Sequence, residues 1–382
     1  MRRFTSLMLL LLAAALLVAA SACTGGTGDN AAGGSGGANS NGGAQTARKK
    51  KGANEQVFIG FLMDTLKEER WQRDKELVEK RAQEVGAKLS VQVANGDDNL
   101  QIKQAENLLS QKVDVLIVAP HNGEIAATIV EMAHREGVPV ISYDRLIRNA
   151  DVDLYLSHQV VKMGEMQARY LLERAPKGNY IVVQGSATDN NARLLHQGQM
   201  NVLKPAADRG DIKIVVDQPA REWLASEALN IVENALTQVN NDVVAVVASN
   251  DGTARGAIQA LDGQKLAGKV LVSGQDADLA SLQLILQGKQ TMTVYKPIQP
   301  LAFGAVDAAL KLARGETVET NDTVDNGRKK VASMLFEPQA VDKNNLVSTV
   351  VKDGYQTLEK ICQNIPAEQC PKADAAGATG GN

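Results

Sequence analysis

The residue types that could do chemistry in this chain recur beside the ends of apolar runs. Arg70 and Trp71 lie in KEERWQRD, shortly after the first such run. Asp144 and Arg145 close GVPVISYDR, Asn191 lies in DNNARLL, and Trp223 in EWLASEAL. Asn250 stands in ASNDG, Asp276 in GQDAD and Lys296 in TVYKP. Two adjacent hydroxyls of a sugar can each donate to a carboxylate oxygen or accept from a guanidinium N–H, and a charged partner roughly doubles the strength of such bonds. Trp71 and Trp223 are the only 2 tryptophans in the chain. An indole buries roughly 150–250 Å² when covered, and its flat face suits the C–H-rich face of a pyranose. Polar edges combined with aromatic faces amount to carbohydrate-binding chemistry.

Each of these positions also has a local structural role open to it. Asp144 can cap a turn, Asn250 a helix N-terminus, and Asp276 the helix expected from residue 278. Lys296 precedes Pro297 and reads equally as a solvated hinge residue. Arg70 reads as helix-surface charge, and Trp71 and Trp223 as staples at helix starts. Lys67 and Asp74, in the same stretch, are given no role.

Other chemistry is poorly represented. GFLMD stands where a dinucleotide-binding G-x-G-x-x-G would follow the first strand, and there is no Walker motif. The histidines show no ligand spacing, and His121 and His158 read as packing or surface residues. NDTVDNG (321–327) lacks the ligand order and closing Glu of a calcium loop. No G-x-S-x-G elbow is present. No metal, cofactor or catalytic residue is therefore expected. Asp144 and Asp276 are the kind of carboxylate pair that glycoside cleavage uses. Arg145 and Lys296 beside them would keep both ionised, which suits hydroxyl binding better than general acid work.

The elements that must hold these residues alternate. VFIGFL (57–62), KLSVQVA (88–94), VDVLIVAP (113–120) and GVPVISYD (137–144) read as strands separated by helix-period segments. NYIVVQG (179–185), DIKIVVDQ (211–218), DVVAVVASND (242–251), GKVLVSGQDAD (268–278) and TMTVYKP (291–297) continue the pattern. Buried strands alternating with amphipathic helices mean parallel βαβ units. The halves resemble each other. VDVLIVAPHN parallels DVVAVVASND, each an apolar strand followed by an Asn, and GVPVISYDR parallels GKVLVSGQDA, each closed by an Asp. The expected architecture is α/β, with two similar doubly wound parallel-sheet lobes. Ligands of such sheets bind beyond the carboxyl ends of the strands, where the candidates cluster.

Composition sets the surroundings. With 382 residues, length suggests two domains. A net charge of −3 gives no basic field for nucleic acid. Residues 1–22 read as a signal peptide, with Arg2-Arg3, an apolar core and Ala20-Ser21-Ala22 before Cys23. Small residues ending in Cys resemble a bacterial lipobox, which makes Cys23 the lipidation site and the mature protein extracytoplasmic. Residues 23–54, rich in Gly, Ser and Asn, read as a flexible tether to the membrane. Cys362 and Cys370 are expected to form a local disulfide, and residues 367–382 a disordered tail.

ERWQRD, ANGDD, the pair VDVLIVAPHNG and ISYDR, DNNARLLHQGQM, EWLASEAL, VVASNDGTARGAIQAL, SGQDADLA and TMTVYKP resemble, in this order, the type I periplasmic sugar-binding family of bacterial ABC import, in particular its D-xylose-binding members. The resemblance runs from about Val57 to Gly354. It implies a sugar held between lobes joined by a three-strand hinge. The N-terminal lobe would comprise residues 55–158 plus 297–334, and the C-terminal lobe 159–296 plus 335–366. It implies contacts from Arg70, Trp71, Asp144, Arg145, Asn191, Trp223, Asn250, Asp276 and Lys296, with Arg193 a further contact by analogy with ribose-type members. The expected protein is a monomeric binding protein, not an enzyme, that closes on D-xylose and docks on an ABC permease. Another pentose or glucose is the alternative ligand. A sugar sensor for a membrane receptor or kinase, and an extracellular glycoside-acting enzyme, are the alternative functions. The lipobox and tether depart from the many family members that diffuse freely, which leaves a periplasmic or an outer-face location open.

Overall fold

The structure is a computed structural model and describes residues 50–371. Cys23, residues 1–22, most of the 23–54 tether and the tail from residue 372 lie outside the described residues.

The first lobe runs through β1 (Phe58–Met63), α1 (Glu69–Glu84), β2 (Lys88–Val93), α2 (Asp98–Ser110), β3 (Val115–Val118), α3 (Ala127–Arg135), β4 (Val140–Tyr143) and β5 (Leu154–His158). The second follows with α4 (Val160–Arg174), β6 (Gly178–Gln184), α5 (Asn190–Asp208), β7 (Ile212–Pro219), α6 (Ala225–Gln238), β8 (Ala245–Ala248), α7 (Asp251–Gly263), β9 (Leu271–Val272), α8 (Leu279–Leu286) and β10 (Thr293–Tyr295). The chain then returns through α9 (Ile298–Arg314), β11 (Asp322–Asp325) and β12 (Lys330–Phe336) to the first lobe. It ends on the second with β13 (Gln339–Val341) and α10 (Leu358–Cys362).

Strands β1, β3, β4, β5 and β8 are buried along their whole length. Helices cover both faces of each sheet, so these strands carry apolar residues with little alternation. One core of the first lobe packs β1 and β3 against α1 and α9; the other packs the opposite face against α2 and α3. The second lobe repeats this with α6 and α7 on one face and α4 and α5 on the other. The strand order is β2-β1-β3-β4-β5-β12, with β11 antiparallel at the edge, in the first lobe, and β7-β6-β8-β9 in the second. A single parallel bridge, Gln275 to Val294, continues the second sheet into the antiparallel pair β10–β13. The two lobes thus share one winding, and the internal similarity read from the sequence is topological.

The lobes are joined by three passages of the chain: from β5 to α4, from β10 to α9 and from β12 to β13. The third lies later than the expected boundary at 334/335. Leu335 and Phe336 continue the parallel ladder with Ser157 and His158, so they belong to the first lobe. Strand β5, helices α4 and α9 and strands β11–β13 have no counterpart among the strands and helices read from the sequence. Two further corrections concern the ends. Lys51 donates from its backbone N to Ala313 O at 3.0 Å, and its ammonium lies 3.2 Å from Asp114, so residues 51–54 of the expected tether are docked on the first lobe. At the other end Cys362 and Cys370 are disulfide-bonded, with Cα atoms 5.7 Å apart, and Ala367–Gln369 form a short turn within the expected tail. Among the described residues no helix is long and apolar enough to cross a membrane.

Candidate functional site

The loops beyond the strand ends of both lobes meet in one cleft. It is lined by Glu68, Arg70, Trp71, Asp144, Arg145, Asp189, Asn191, Trp223, Asn250, Gln275, Asp276 and Lys296. Every one of the nine ligand positions expected from the sequence is among these residues. Arg193 is not. It is exposed on α5, and its guanidinium bonds Asn190 Oδ1 at 3.1 Å.

In the first lobe the site is an ion network. Arg70 donates from Nη1 to Asp144 Oδ2 at 2.6 Å. Its Nε and Nη2 both donate to Asp74 Oδ2, at 2.9 and 2.7 Å. Asp74 Oδ1 takes the Tyr143 hydroxyl. Asp74, left without a role in the sequence reading, is fully buried. Burial disfavours the charge on Arg70, but Asp144 and then Asp74 hold its pKa well above the ordinary guanidinium value. Burial likewise opposes ionisation of Asp144, yet Arg70 and Lys296 outweigh it and keep this carboxyl far below the usual range. The cation expected beside Asp144 was Arg145. Its side chain instead runs the other way, to Asp64 at 2.6 Å and Asp189 at 2.8 Å. Arg70, reaching across from α1, replaces it.

Trp71 is the third residue of α1 and 3% exposed. The Arg70 guanidinium lies 4.1 Å from its ring centroid and that of Arg145 5.2 Å. Both Arg70 and Trp71 therefore face the cleft, and the surrounding charges of KEERWQRD are partly its wall.

In the second lobe Lys296 pairs with Asp276 at 2.9 Å and reaches Asp144 at 4.0 Å. Lys296 is thus a buried cleft residue and not a solvated one. Asn250 fills both roles read for it. It lines the cleft, and its Oδ1 accepts from Thr253 N at 2.8 Å in a reciprocal capping box on α7. Asp276 does not cap α8. Asp278 stands at that N-cap, and Asp276 has φ 105°. Trp223 is set by a corner in which Glu222 (φ 53°) and Trp223 (φ 56°) are both left-handed. The corner lays the indole against Gly185, where a Cβ would stand 2.1 Å from Trp223 Cη2.

The lobes touch around the cleft. Asn191 Nδ2 donates to Asp144 O and Oδ1, at 3.1 and 3.2 Å. Asp189 caps α5 through Asn191 N and pairs with Arg145 of the other lobe. At the cleft mouth His121 bridges Asp98 of its own lobe (2.9 Å) and Glu222 of the other (3.0 Å). Burial lowers its pKa, but these two hydrogen bonds outweigh that and raise it. His121 is thus an interlobe residue, against the packing or surface role expected. His158 lies at the hinge, where burial and then Lys296 push its pKa down to about 3, so it stays neutral.

The sequence reading missed Glu68, Asp189 and Gln275. A signal for each was present, because all three lie within two residues of an assigned position, in the same loops. Four cleft-lining atoms, Glu68 Oε2, Asn191 Oδ1, Trp223 Nε1 and Gln275 Oε1, are buried without a hydrogen-bond partner in the protein. Buried polar atoms are almost always paired, so this cluster of three acceptors and one donor fits a compact polyhydroxylated ligand. Among the described residues no group of His, Cys, Asp and Glu is arranged to hold a metal ion.

Comparison with known proteins gives a consistent picture. A family model described as a periplasmic binding protein domain matches residues 59–317. The D-xylose-binding periplasmic protein of Haemophilus influenzae is 50% identical over 308 residues, covering 81% of this chain and 93% of that protein. The protein of the same name from Escherichia coli is 50% identical over 301 residues, covering 79% and 91%. Among solved structures, a carbohydrate transporter solute binding protein from Chloroflexus aurantiacus in complex with D-glucose superposes with a TM-score of 0.76 at 31% identity, covering 80% of this chain and 98% of that one.

Proposed function

This chain belongs to the periplasmic binding protein family, and on that premise we propose that it captures a monosaccharide, D-xylose foremost, outside the cytoplasm and delivers it to an ABC importer. The observation that carries the reading is the set of unpartnered buried atoms, Glu68 Oε2, Asn191 Oδ1, Trp223 Nε1 and Gln275 Oε1, gathered between lobes that also bring two indoles and the carboxylates of Asp144 and Asp276 to the same cleft. Sugar hydroxyls are of the right chemistry to satisfy the acceptors and the indole N–H together. Supporting the choice of D-xylose are the relatives that bear this sugar in their names. These comparisons favour neither a sensor nor a glycoside-acting enzyme.

Arg70, Trp71, Asp144 and Arg145 bind from the first lobe, Asn191, Trp223, Asn250 and Asp276 from the second, and Lys296 from the hinge. A ligand that contacts both lobes stabilises the closed form by its differential affinity alone. The closed protein, a monomer, then docks on its permease. Cys23 carries the lipid that keeps the domain at the membrane face. Asp144, held ionised by Arg70 and Lys296, acts as a hydroxyl acceptor and not as a proton donor. A thermal-shift panel of xylose, ribose, arabinose, glucose and galactose tests the reading, since a ligand of the native state raises Tm by mass action. D-xylose is expected to give the largest shift, and no shift with any of these sugars would refute the proposal.

A further inference from the structure

Helix α1 turns a stripe of side chains inward: Trp71, Asp74, Val78 and Ala82 are all buried. Helical spacing would put an apolar residue at the second of these positions if packing alone decided it. A carboxylate stands there with no exposure, at a desolvation cost that only strong partners offset. It is outside the cleft lining and so does not reach a ligand. Its partners are the whole Nε–Nη2 edge of Arg70 and the hydroxyl of Tyr143. Tyr143 is the last residue of β4 and directly precedes Asp144, which takes the remaining Arg70 bond from Nη1. The contacts therefore close a ring: Arg70 to Asp74, Asp74 to Tyr143, along the backbone to Asp144, and back to Arg70.

We propose that Asp74 is a positioning residue for the ligand site, occupying the Nε–Nη2 edge of the Arg70 guanidinium so that Nη1 is held in one orientation toward Asp144 at the cleft. A long flexible cation in the open cleft would otherwise lose rotamer freedom each time sugar binds, at roughly 0.5–1.5 kcal/mol per ordered side chain. Asp74 and Tyr143 impose that order beforehand. All four residues lie in the first lobe, so the arrangement does not depend on closure. The inference rests on the sugar-binding reading for its consequence, but not for its geometry.

Calorimetric titration of the full chain with D-xylose tests it. Asp74→Asn, which removes the charge that anchors the guanidinium and puts an amide N–H opposite the Tyr143 hydroxyl, should weaken binding about tenfold or more, and the loss should shrink to within about twofold in an Arg70→Lys background, because coupled residues are non-additive. A merely structural role would give the same loss in both backgrounds, and that result, or an unchanged Kd, would overturn the proposal. If Asp74→Asn does not fold, Tyr143→Phe removes only the supporting hydroxyl and should weaken binding about three- to fivefold, a change typical of one lost hydrogen bond; an unchanged Kd there counts equally against it. A readout without ligand separates this from failure of the function. Solvent exchange of the Arg70 Nε–H, followed by NMR in the sugar-free protein, should accelerate in Asp74→Asn whether or not D-xylose binds. An unchanged exchange rate would overturn the positioning role; absence of sugar binding in the wild type would overturn only the function.

Discussion

The same point in the two lobes carries an aspartate and treats it differently. Asp144 follows β4 and Asp276 follows β9, strands that occupy the same place in the two sheet orders. Both have positive φ, 59° and 105°, a strained state that persists where the surroundings over-determine it. Behind Asp144 stand two cations and a buried anion: Arg70, Lys296 and Asp74. Lys296 also pairs with Asp276, at 2.9 Å, but the loop that carries Asp276 has a different support. Asp251 Oδ1 accepts from Gln290 Nε2 (2.8 Å) and Thr293 Oγ1 (2.9 Å), and its Oδ2 accepts from Asp278 N (2.9 Å), so neutral donors shape the 275–278 loop. Burial, then Asp278 and Asp276, push the Asp251 carboxyl well above its ordinary value. The repeat sets where a ligand-facing carboxylate stands; Lys296 serves both, and beyond it the first lobe adds charge where the second adds neutral hydrogen bonds.

Substitutions can break that contrast. The largest effect is expected at Asp144→Ala. It strips Arg70 and Lys296 of a shared buried anion and should cost about 3–5 kcal/mol of stability, as breaking a buried pair does. Asp276→Ala leaves Lys296 still facing Asp144 and should cost about 1–3 kcal/mol, while abolishing sugar binding. Urea unfolding of both variants checks the order, and equal costs would mean that the lobes are supported alike. The supports themselves sharpen the point. Asp251→Asn keeps an oxygen for two of three donors and should cost about 1–2 kcal/mol, clearly less than Asp74→Asn in the same urea series. A reversal would show that neutral donors hold the second lobe more tightly than charge holds the first.

The aromatic walls differ as well. Trp71 is packed into the first lobe's core, whereas Trp223, in a smaller apolar cluster with Val160, Leu195 and Met292, also lies against the bare backbone of Gly185. Gly185→Ala would place a methyl within 2.5 Å of three ring carbons. It should displace the indole and weaken sugar binding about tenfold, or 1.4 kcal/mol, with Tm little changed. Unaltered affinity by calorimetry would remove Trp223 as a wall.

The smallest effect belongs to the contact between lobes. Each His121 nitrogen faces a carboxylate, Asp98 or Glu222, so the doubly protonated ring, with two donors, fits best. Asp64, which also raises the His121 pKa, and Lys67, which donates to Glu222 O at 2.5 Å, share this mouth. Closure brings Glu222 to His121 and so raises its pKa in the closed form. The stabilisation is complete below the open-form pKa and is lost as pH rises through the higher closed-form value. Sugar affinity should accordingly fall about two- to fivefold from pH 6 to pH 8, the scale of a partly exposed ion pair, and His121→Gln should flatten the profile. An unchanged slope in that variant would assign the pH dependence elsewhere.

Much of this was legible in the sequence because strand ends in open α/β sheets are where ligands bind. VDVLIVAPHN and DVVAVVASND announced equivalent strands; Asn250 after the second lines the cleft, and His121 after the first stands at its mouth. What escaped was pairing through space. Arg145 adjoins Asp144 in sequence, but the chain bends at Asp144 (φ 59°) and sends the Arg145 side chain to Asp64 and Asp189, so the cation closest to Asp144 comes from α1. Asp74 looked like helix-surface charge among the many charges of KEERWQRD, although its spacing from Trp71 and Val78 put it on the inward stripe. His121 had no readable partner, because Asp98 and Glu222 come from different lobes. Strand β5 was passed over because LYLSH is short and has polar residues beside it, and its burial depends on β12, far along the chain.

The central claim is that both lobes close on one monosaccharide, and calorimetric titration of D-xylose into the full chain tests it most directly. The predicted result is a single site with a Kd in the micromolar range or tighter, about −8 kcal/mol, that disappears in Asp276→Ala while the variant remains folded. Absence of binding by the wild type at millimolar D-xylose, or undiminished affinity in Asp276→Ala, would contradict it.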